Sequence, residues 1–252
     1  ITVILFSILF VQLFACTEFI LSPEKNNGLL ICGRSLEFAY PTNSDIVYVP
    51  SGTEFKGTSP DGGDGLVWKS EYSFIGVNAW GYDLAFLDGM NEAGLSASML
   101  WMPGSEYEKI ESNEMDRAVE INNFTSWILC NFGSTDEVVK ALKRDEIKVW
   151  AGIDPKLNEM LPAHASIHDA TGKSYVIEFI NGAINIFENP NGVFTNAPQF
   201  EWHITNLRNY VNLSNLNAEK TINGITYEGT GFGSGYIGIP GDSTPPSRFI
   251  KT

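Results

Sequence analysis

Residues 15–38 read ACTEFILSPEKNNGLLICGRSLEF, and this stretch decides the fold that the rest of the chain must complete. Two apolar runs, 16–21 and 29–35, flank the turn-forming residues SPEKNNG. Apolar runs that are separated by a turn pair as antiparallel strands. We therefore predict a hairpin whose first residue is Cys16.

An apolar leader precedes this hairpin. Residues 1–15 read ITVILFSILFVQLFA and carry no charge, which is typical of the apolar core of an export signal. The run is shorter than the roughly 20 apolar residues that a membrane-spanning helix needs, so no stable membrane anchor is predicted. We expect cleavage after Ala15, a mature domain over residues 16–252, and a periplasmic or secreted protein.

Cleavage after Ala15 would leave Cys16 with both a thiol and a free α-amine. An α-amine has a pKa of about 8, so it can take the thiol proton near neutral pH and later return it to a leaving group. This pair of groups predicts a nucleophilic cysteine that needs no separate base. The residues LFAC at 13–16 partly match a bacterial lipoprotein box, so a lipidated, non-catalytic binding protein is the alternative.

Hairpin signals continue along the chain. Runs 84–88 and 95–102 flank the residues MNEAG, and the segment 163–186 has the pattern of a meander. Within that meander, Asn181-Gly182 is the dipeptide that supplies the positive φ angles of a tight hairpin turn. These segments predict several antiparallel strands.

Two helices are predicted between these strands. Apolar side chains at helical spacing mark about 116–130, and STDE at 134–137 has the form of a capping box that opens a second helix. The Gly- and Pro-rich segment 223–246 is predicted to be an irregular loop. Antiparallel hairpins with inserted helices indicate an α+β layered fold in one domain.

The charge and the cysteines limit the classes of partner. A net charge of −14 argues against nucleic acid and anionic membrane surfaces, because both would be repelled, and favours a small-molecule partner. The three cysteines, Cys16, Cys32 and Cys130, are too few for a disulfide scaffold and show no metal-ligand spacing. We expect Cys32 and Cys130 to be buried apolar residues, with a disulfide between them as the alternative.

The three histidines, His164, His168 and His203, do not predict a metal site. His164 and His168 are four residues apart in a segment expected to be a strand, where that spacing does not close on a metal ion. No metal and no cofactor are therefore expected. The absence of a GxSxG motif argues against a Ser-His-Asp triad.

Several sequence blocks, in order along the chain, resemble the choloylglycine hydrolase family, which contains conjugated bile acid hydrolases and penicillin V acylases. The resemblance implies an N-terminal-nucleophile hydrolase fold, a four-layer αββα sandwich of antiparallel sheets, and a homotetramer. It also implies further C-terminal strands beyond the sequence given. The blocks are CTEF at 16–19, GRSLEF at 33–38, DGMNEAGLSAS at 88–98, TNAPQFEWHITNLRNY at 195–210 and GIPGDSTPPSRF at 238–249.

The same resemblance assigns roles at the start of the chain. Cys16 is implied to be the nucleophile, and Arg34 lies beside it, where a guanidinium stabilises negative charge on sulfur. Glu37 stands where many members have aspartate, in a position to orient the α-amine or the thiol. Without the resemblance, Arg34 and Glu37 would be interpreted as a surface arginine and an exposed acid.

Three later residues complete the implied catalytic set. The Asn196 side-chain amide is implied to donate to the oxyanion of the tetrahedral intermediate, and the backbone N–H of Trp101 is implied to be the second donor. Arg248 is implied to lie near the nucleophile and to balance its charge. Asn196 alone would be interpreted as a turn residue before Ala197-Pro198.

The side chain of Trp101 bears on the substrate. Tryptophan at this position is similar to the Gram-negative penicillin V acylase branch, whose members in several cases accept N-acyl homoserine lactones. An indole can bury a phenoxyacetyl ring or an acyl chain, and Phe38, Trp80 and Met102 are predicted to extend this apolar pocket. We expect a hydrolase of linear, non-peptide amides that resembles the penicillin V acylases, with a conjugated bile acid hydrolase as the alternative.

Overall fold

A computed structural model of the chain describes residues 16–38, 41–82, 84–155 and 158–252. The predicted export signal, 1–15, lies outside the described residues. Strands are β1 Thr17–Leu21, β2 Ile31–Ser35, β3 Ile46–Val49, β4 Glu54–Thr58, β5 Asp64–Lys69, β6 Phe74–Asn78, β7 Phe86–Asn91, β8 Ser96–Trp101, β9 Ala118–Glu120, β10 Lys148–Trp150, β11 Ile153–Asp154, β12 Glu159–Met160, β13 Ala163–His168, β14 Ser174–Ile180, β15 Ala183–Glu188, β16 Val193–Thr195, β17 Glu219–Ile222 and β18 Ile225–Glu228.

Helical segments follow or interrupt these strands. The α-helices are α1 Phe124–Asn131, α2 Thr135–Lys143, α3 Phe200–Leu207 and α4 Pro245–Lys251. Short 3-10 turns cover Pro23–Lys25, Met115–Arg117, Ile121–Asn123, Arg208–Tyr210 and Ser234–Tyr236. Among the described residues, no helix is long and apolar enough to cross a membrane.

A seven-stranded antiparallel sheet forms the centre of the molecule, in the order β15-β14-β13-β8-β7-β6-β3. The predicted β7–β8 hairpin and the predicted β13–β14–β15 meander are both part of it. Asn181 and Gly182 adopt φ angles of 53° and 70°, as their turn requires. Because side chains alternate along a strand, β8 directs Met99 and Trp101 to one face and Leu100 to the other.

A three-stranded antiparallel sheet, in the order β16-β1-β2, carries the start of the described chain. The predicted hairpin is confirmed as β1 and β2, with Thr17 opposite Ser35. On its other side β1 pairs with β16, so that Thr17 also lies opposite Thr195. This second pairing places the residue that follows β16, Asn196, next to Cys16.

Helices cover the outer faces of both sheets. Helix α1 packs against β7 and β8 of the large sheet, whereas α3 and α4 pack together, and α4 contacts β16 and β1 of the small sheet. The predicted four-layer αββα sandwich is confirmed. An apolar cluster that includes Cys16, Leu100 and Phe249 joins the two sheets and α4.

The helix predicted at about 116–130 is shorter than expected. Only Phe124–Asn131 is α-helical, and the preceding Ala118–Glu120 forms strand β9, which pairs in parallel with β10. The backbone explains the difference. A Cβ atom on Gly57 or Gly65 would lie 2.9 or 2.4 Å from the Ala118 carbonyl oxygen, so two glycines of β4 and β5 allow this strand to approach closely.

The second predicted helix is confirmed as α2. The Ser134 side chain accepts a hydrogen bond from the Glu137 backbone N–H at 3.4 Å, as an N-cap should. The Glu137 carboxylate accepts from the Gly133 N–H at 2.8 Å, one residue before the position that a reciprocal capping box uses.

The irregular loop predicted over 223–246 is in part wrong. Strand β18 and helix α4 begin within it, and β18 pairs with β17. Asn223 and Gly224 have φ angles of 52° and 79°, so they form the kind of tight turn that Asn-Gly favours between two strands. Because this dipeptide is a strong hairpin signal, the overall Gly and Pro content was the weaker guide.

Candidate active site

Cys16 immediately precedes β1 and lies at the junction of the two sheets. The residue is 3% exposed. Its nitrogen donates to Asn196 Oδ1 at 2.6 Å, and its Sγ lies 3.7 Å from Arg34 Nη2 and 3.9 Å from the Glu37 carbonyl oxygen. The nitrogen and the sulfur of one residue are therefore both held by the surrounding protein.

Arg34 is fixed by acceptors on the large sheet. It forms an ion pair with Asp88 and donates to the carbonyl oxygens of Met99 at 2.6 Å and Leu87 at 3.2 Å. Burial opposes the charge of this guanidinium, but Asp88, Cys16 and Glu18 outweigh that effect and raise the pKa of Arg34 above its usual range. A permanent cation therefore faces the Cys16 sulfur.

Asp88 is a site residue that sequence reasoning missed. It is the first residue of the DGMNEAGLSAS block, and it pairs with Ser98 across the β7–β8 ladder. The block resembles the choloylglycine hydrolase family, but the resemblance assigns no role to this carboxylate. A signal was available, since an isolated acid in a buried strand needs a basic partner.

Arg248 connects the last helix to the start of the chain. Its Nε donates to Thr17 Oγ1 at 2.8 Å, and its Nη2 lies 3.1 Å from the Cys16 carbonyl oxygen, 3.1 Å from Thr195 Oγ1 and 3.3 Å from Asn196 Oδ1. Thr195 Oγ1 also donates to the Cys16 carbonyl oxygen at 2.8 Å. One guanidinium thus contacts both strands that meet at the nucleophile.

Glu37 contributes differently from the prediction. Its residue is exposed, and the atom that faces the Cys16 sulfur is its backbone carbonyl oxygen rather than its carboxylate. The carboxylate acts on Arg248 by charge: burial lowers the pKa of Arg248, while the charges of Glu37 and Cys16 oppose that shift.

Trp101 and Asn196 are adjacent, as an oxyanion site requires. Asn196 Nδ2 carries two hydrogens, each of which can be donated to an oxygen. It donates one of them to the Trp101 carbonyl oxygen at 2.9 Å. Trp101 lies opposite Ala163, and the next residue, Met102, donates to Pro162 at 2.9 Å. In an antiparallel ladder the N–H and C=O groups of one residue point to the same side of the strand, and successive residues alternate between the two sides. The Trp101 N–H therefore points to the same side as its carbonyl oxygen, towards Asn196.

His203 lies behind Asn196 and holds its backbone. The ring Nε2 donates to the Asn196 carbonyl oxygen at 3.0 Å, and the ring stacks on Phe249 of α4 at a centroid distance of 4.9 Å and an interplanar angle of 17°. The sequence alone predicts no role for this histidine. Its contacts instead connect the segment that carries Asn196 to the helix that carries Arg248.

A pH dependence of stability is expected from His203. Burial lowers the pKa of this ring below 6.5, against the smaller opposing effect of its hydrogen bond to Asn196. Below a pH of about 6.5 the unfolded chain therefore binds more protons than the folded one. The ring's contribution to stability is complete above that pH and is lost as pH falls, at up to about 1.4 kcal/mol per pH unit.

His203→Gln should keep a donor and remove the titrating group. We expect its free energy of unfolding, measured by urea denaturation at pH 5, 6 and 7, to fall less steeply with decreasing pH than that of the parent protein. Parallel curves for the two proteins would contradict this assignment.

An apolar cavity of about 30 Å³ adjoins the Cys16 sulfur. Its volume is room for about two water molecules, so an acyl group must displace part of the wall to enter. Phe38 is in edge-to-face contact with Trp80 at 5.5 Å and with Trp101 at 5.6 Å. The lining residues are Cys16, Arg34, Leu36, Phe38, Trp80, Leu87, Met99, Leu100, Trp101, Leu161 and Ala163.

The pocket predictions have different outcomes in the structure. Phe38 and Trp80 line the cavity as expected, whereas Met102 is buried beyond the end of β8 and is absent from the lining. The three cysteines are free thiols, so Cys32 and Cys130 do not form a disulfide. Cys130 is buried as predicted, but Cys32 is an exposed residue of β2, contrary to the prediction.

The sandwich has the fold of the N-terminal-nucleophile hydrolases. A cysteine precedes the first strand of its small sheet, and an asparagine and two arginines surround that cysteine. The family model of the linear amide C–N hydrolases, choloylglycine hydrolase family, matches residues 16–252, and the chain belongs to that family. It is therefore an enzyme that hydrolyses linear amide C–N bonds.

Two curated relatives represent the two named activities. The chain is 36% identical over 236 residues to a bile salt hydrolase/transferase from Clostridium perfringens, covering 92% of this chain and 69% of that protein. It is 29% identical over 195 residues to a penicillin V acylase from Pectobacterium atrosepticum, covering 76% of this chain and 51% of that protein.

Solved structures agree on the fold. A conjugated bile acid hydrolase variant from Clostridium perfringens superposes with a TM-score of 0.77 at 32% identity, over 93% of this chain and 70% of that one. Penicillin V acylase from Agrobacterium tumefaciens superposes with a TM-score of 0.72 at 24% identity, over 93% of this chain and 63% of that one.

Proposed function

We propose that removal of residues 1–15 converts the Cys16 nitrogen into a primary amine, and that this amine and the Cys16 thiol together cleave the amide of a small acyl–amine conjugate. The observation that carries the proposal is the arrangement around Cys16. Its nitrogen donates to Asn196, its sulfur lies beside Arg34, and its carbonyl oxygen accepts from Arg248. Such preorganisation holds the reacting atoms in place before substrate binds.

The chemistry follows from these positions. The amine takes the thiol proton, and the sulfur attacks the amide carbon while Asn196 Nδ2 and the Trp101 N–H donate to the oxygen that becomes negative. The protonated amine then gives its proton to the leaving nitrogen, so the C–N bond breaks and a thioester remains. Water, deprotonated by the same amine, hydrolyses the thioester and restores the thiol.

We propose conjugated bile acids as the first class of substrate. The sequence favoured penicillin V because of Trp101, but the comparisons support the other order: the bile salt hydrolase from Clostridium perfringens is 36% identical, against 29% for the penicillin V acylase from Pectobacterium. Its match also extends over more of this chain. The substrate assignment therefore rests on the relatives, since both activities share the same nucleophile.

Penicillin V is the second candidate, and the aromatic lining of the cavity favours it. The rings of Phe38, Trp80 and Trp101 line the cavity and offer stacking to a flat phenoxyacetyl group. Steady-state rates with glycocholate, taurocholate, penicillin V and a long-chain N-acyl homoserine lactone would rank the candidates. A kcat/KM for penicillin V above that for both bile acids would reverse our order.

Phe38→Ala should change this ranking. Phe38 contacts both tryptophans, so its removal opens the cavity and takes apolar area away from a small aromatic acyl group. We expect kcat/KM for penicillin V to fall about 10- to 100-fold, the equivalent of about 1.5–3 kcal/mol of lost burial. The larger bile acids should lose less or gain.

Phe187→Ala provides a matched control, because Phe187 belongs to β15 and contacts Phe200 outside this cavity. It should leave the ratio of the two kcat/KM values unchanged. An equal loss for both substrates in Phe38→Ala would argue against a role in selectivity.

Location and assembly are part of the same proposal. We propose an exported, periplasmic or secreted enzyme that acts as a homotetramer on a small-molecule amide. Mass spectrometry of the mature N-terminus tests the first step: a free Cys16 amine supports it. An acylated Cys16 would replace the enzyme proposal by the lipidated binding protein, since no base would remain.

A further inference from the structure

A buried carboxylate lies two residues after the nucleophile. Glu18 is fully buried between the two sheets. Its Oε1 accepts hydrogen bonds from Cys32 Sγ at 3.1 Å, His168 Nε2 at 3.0 Å and Ser98 Oγ at 3.1 Å, and its Oε2 accepts one from Ser166. The mechanism above uses none of these side chains.

Strand register brings the cluster together. Glu18 lies opposite Arg34 in the β1–β2 ladder, and Cys32 stands two residues before Arg34 on the same face. On the large sheet Ser166 lies opposite Ser98, and its strand β13 also supplies the histidine. Three strands from two sheets therefore converge on one carboxylate, which no spacing in the sequence could show.

We propose that Glu18 Oε1, Cys32 Sγ and His168 Nε2 form a zinc site. Carboxylate, thiolate and imidazole are the three ligand types that zinc takes in proteins, and a thiolate disfavours Mg²⁺ and Ca²⁺. The three donor atoms lie within 4.8 Å of one another. Neighbouring ligands of a tetrahedral zinc ion are about 3.3–3.6 Å apart. The pairs at 3.0 and 3.1 Å therefore need to open by a few tenths of an ångström, whereas Cys32 Sγ and His168 Nε2, which lie within 4.8 Å of each other, need to move closer together.

Charge balance suits this site, in which the carboxylate and the imidazole are buried and the thiol belongs to an exposed residue. A Zn²⁺ ion with one carboxylate, one thiolate and a neutral imidazole has no net charge, which limits the cost of burial. Coordination releases one proton to solvent, from the Cys32 thiol, while the neutral imidazole of His168 binds through Nε2 as the tautomer that carries its proton on Nδ1. Ser166 continues to hold Oε2 and so orients the carboxylate from outside the ligand set. The fourth position falls to Ser98 Oγ or water.

The site is separate from the reaction centre but close to it. Cys16 and Arg34 form the catalytic pair, whereas the ion would join β1 and β2 to β13 farther along the same hairpin. We therefore expect zinc to stabilise the contact between the two sheets. This inference does not depend on the substrate, nor on removal of residues 1–15.

Binding should be measured in Cys16→Ser protein, so that the nucleophile cannot supply the thiolate. We expect one zinc ion per chain by metal analysis after dialysis, a higher Tm with added zinc, and protection of Cys32 from iodoacetamide. Co²⁺ in place of zinc should give a thiolate-to-metal charge-transfer band. Cys32→Ser or His168→Gln, added to this background, should weaken zinc binding at least about tenfold. Cys32→Ser should abolish the Tm shift, and His168→Gln should abolish the protection of Cys32.

Cys130→Ala in the same background is the matched control, because this buried cysteine lies on α1, outside the cluster. It should bind zinc as tightly as the Cys16→Ser protein. Equal zinc affinity with and without the Cys32 thiol would overturn the proposal. Full alkylation of Cys32 in excess zinc would also overturn the proposal. That measurement uses protein that keeps Cys32, so it does not depend on how well the Cys32→Ser protein folds.

Discussion

Cys16→Ser should abolish amide hydrolysis, with a loss of at least about 10⁴-fold in kcat. A hydroxyl is a much weaker acid than a thiol, so an α-amine with a pKa of about 8 cannot generate an equivalent nucleophile from it. The substitution removes no hydrogen bond made by the backbone nitrogen to Asn196 or by Arg248 to the carbonyl oxygen. The rate of hydrolysis of glycocholate and of penicillin V measures the effect.

Cys130→Ala is the control for loss of a thiol elsewhere. Cys130 is buried on α1 in the core beside the large sheet and is not among the described residues that line the cavity at Cys16. Its rates should stay within about twofold of the parent protein. Hydrolysis by Cys16→Ser at the parent rate would refute the nucleophile and with it the proposed chemistry.

Asn196→Asp should lower kcat by about 10²- to 10³-fold, the equivalent of about 3–4 kcal/mol of transition-state stabilisation. Aspartate keeps the oxygen that accepts from the Cys16 nitrogen and from Arg248, so the fold of the site is retained. It removes both N–H donors and brings a negative charge to the position where the oxyanion develops. The loss should therefore appear in kcat rather than in KM.

Asn209→Asp makes the same chemical change at an exposed position. Asn209 follows α3 and donates only to the side chain of Asn206 among its hydrogen bonds in the described chain. We expect no change in kcat for that variant. A normal kcat for Asn196→Asp would show that the oxyanion is held by other donors.

The sequence predicted the local parts of the site well. The β1–β2 hairpin follows from two apolar runs and a turn, and it alone brings Arg34 near Cys16. Asn196 and Arg248 lie in sequence blocks that resemble a known family, and the structure places both on the nucleophile. Local pairing and a resemblance were enough for these residues because neither depends on knowing which distant strands are neighbours.

The remaining features depend on such distant pairings. Asp88 meets Arg34 only because the large sheet packs on the small one, and the histidine of the Glu18 cluster comes from the far side of that interface. The helix predicted at 116–130 begins only at Phe124 for a related reason. Short apolar runs fit a strand as well as a helix, and the close approach of Gly57 and Gly65 favoured β9.

The site also has a consequence for when activity can arise during synthesis. The nitrogen of Cys16 is held by a residue 180 positions later, and its carbonyl oxygen by one 232 positions later. The nucleophile is therefore among the first parts of the domain to leave the ribosome and among the last to acquire its surroundings. A chain interrupted before Arg248 carries the thiol without the guanidinium that holds the Cys16 carbonyl oxygen, so amide cleavage should begin only when translation has passed that arginine.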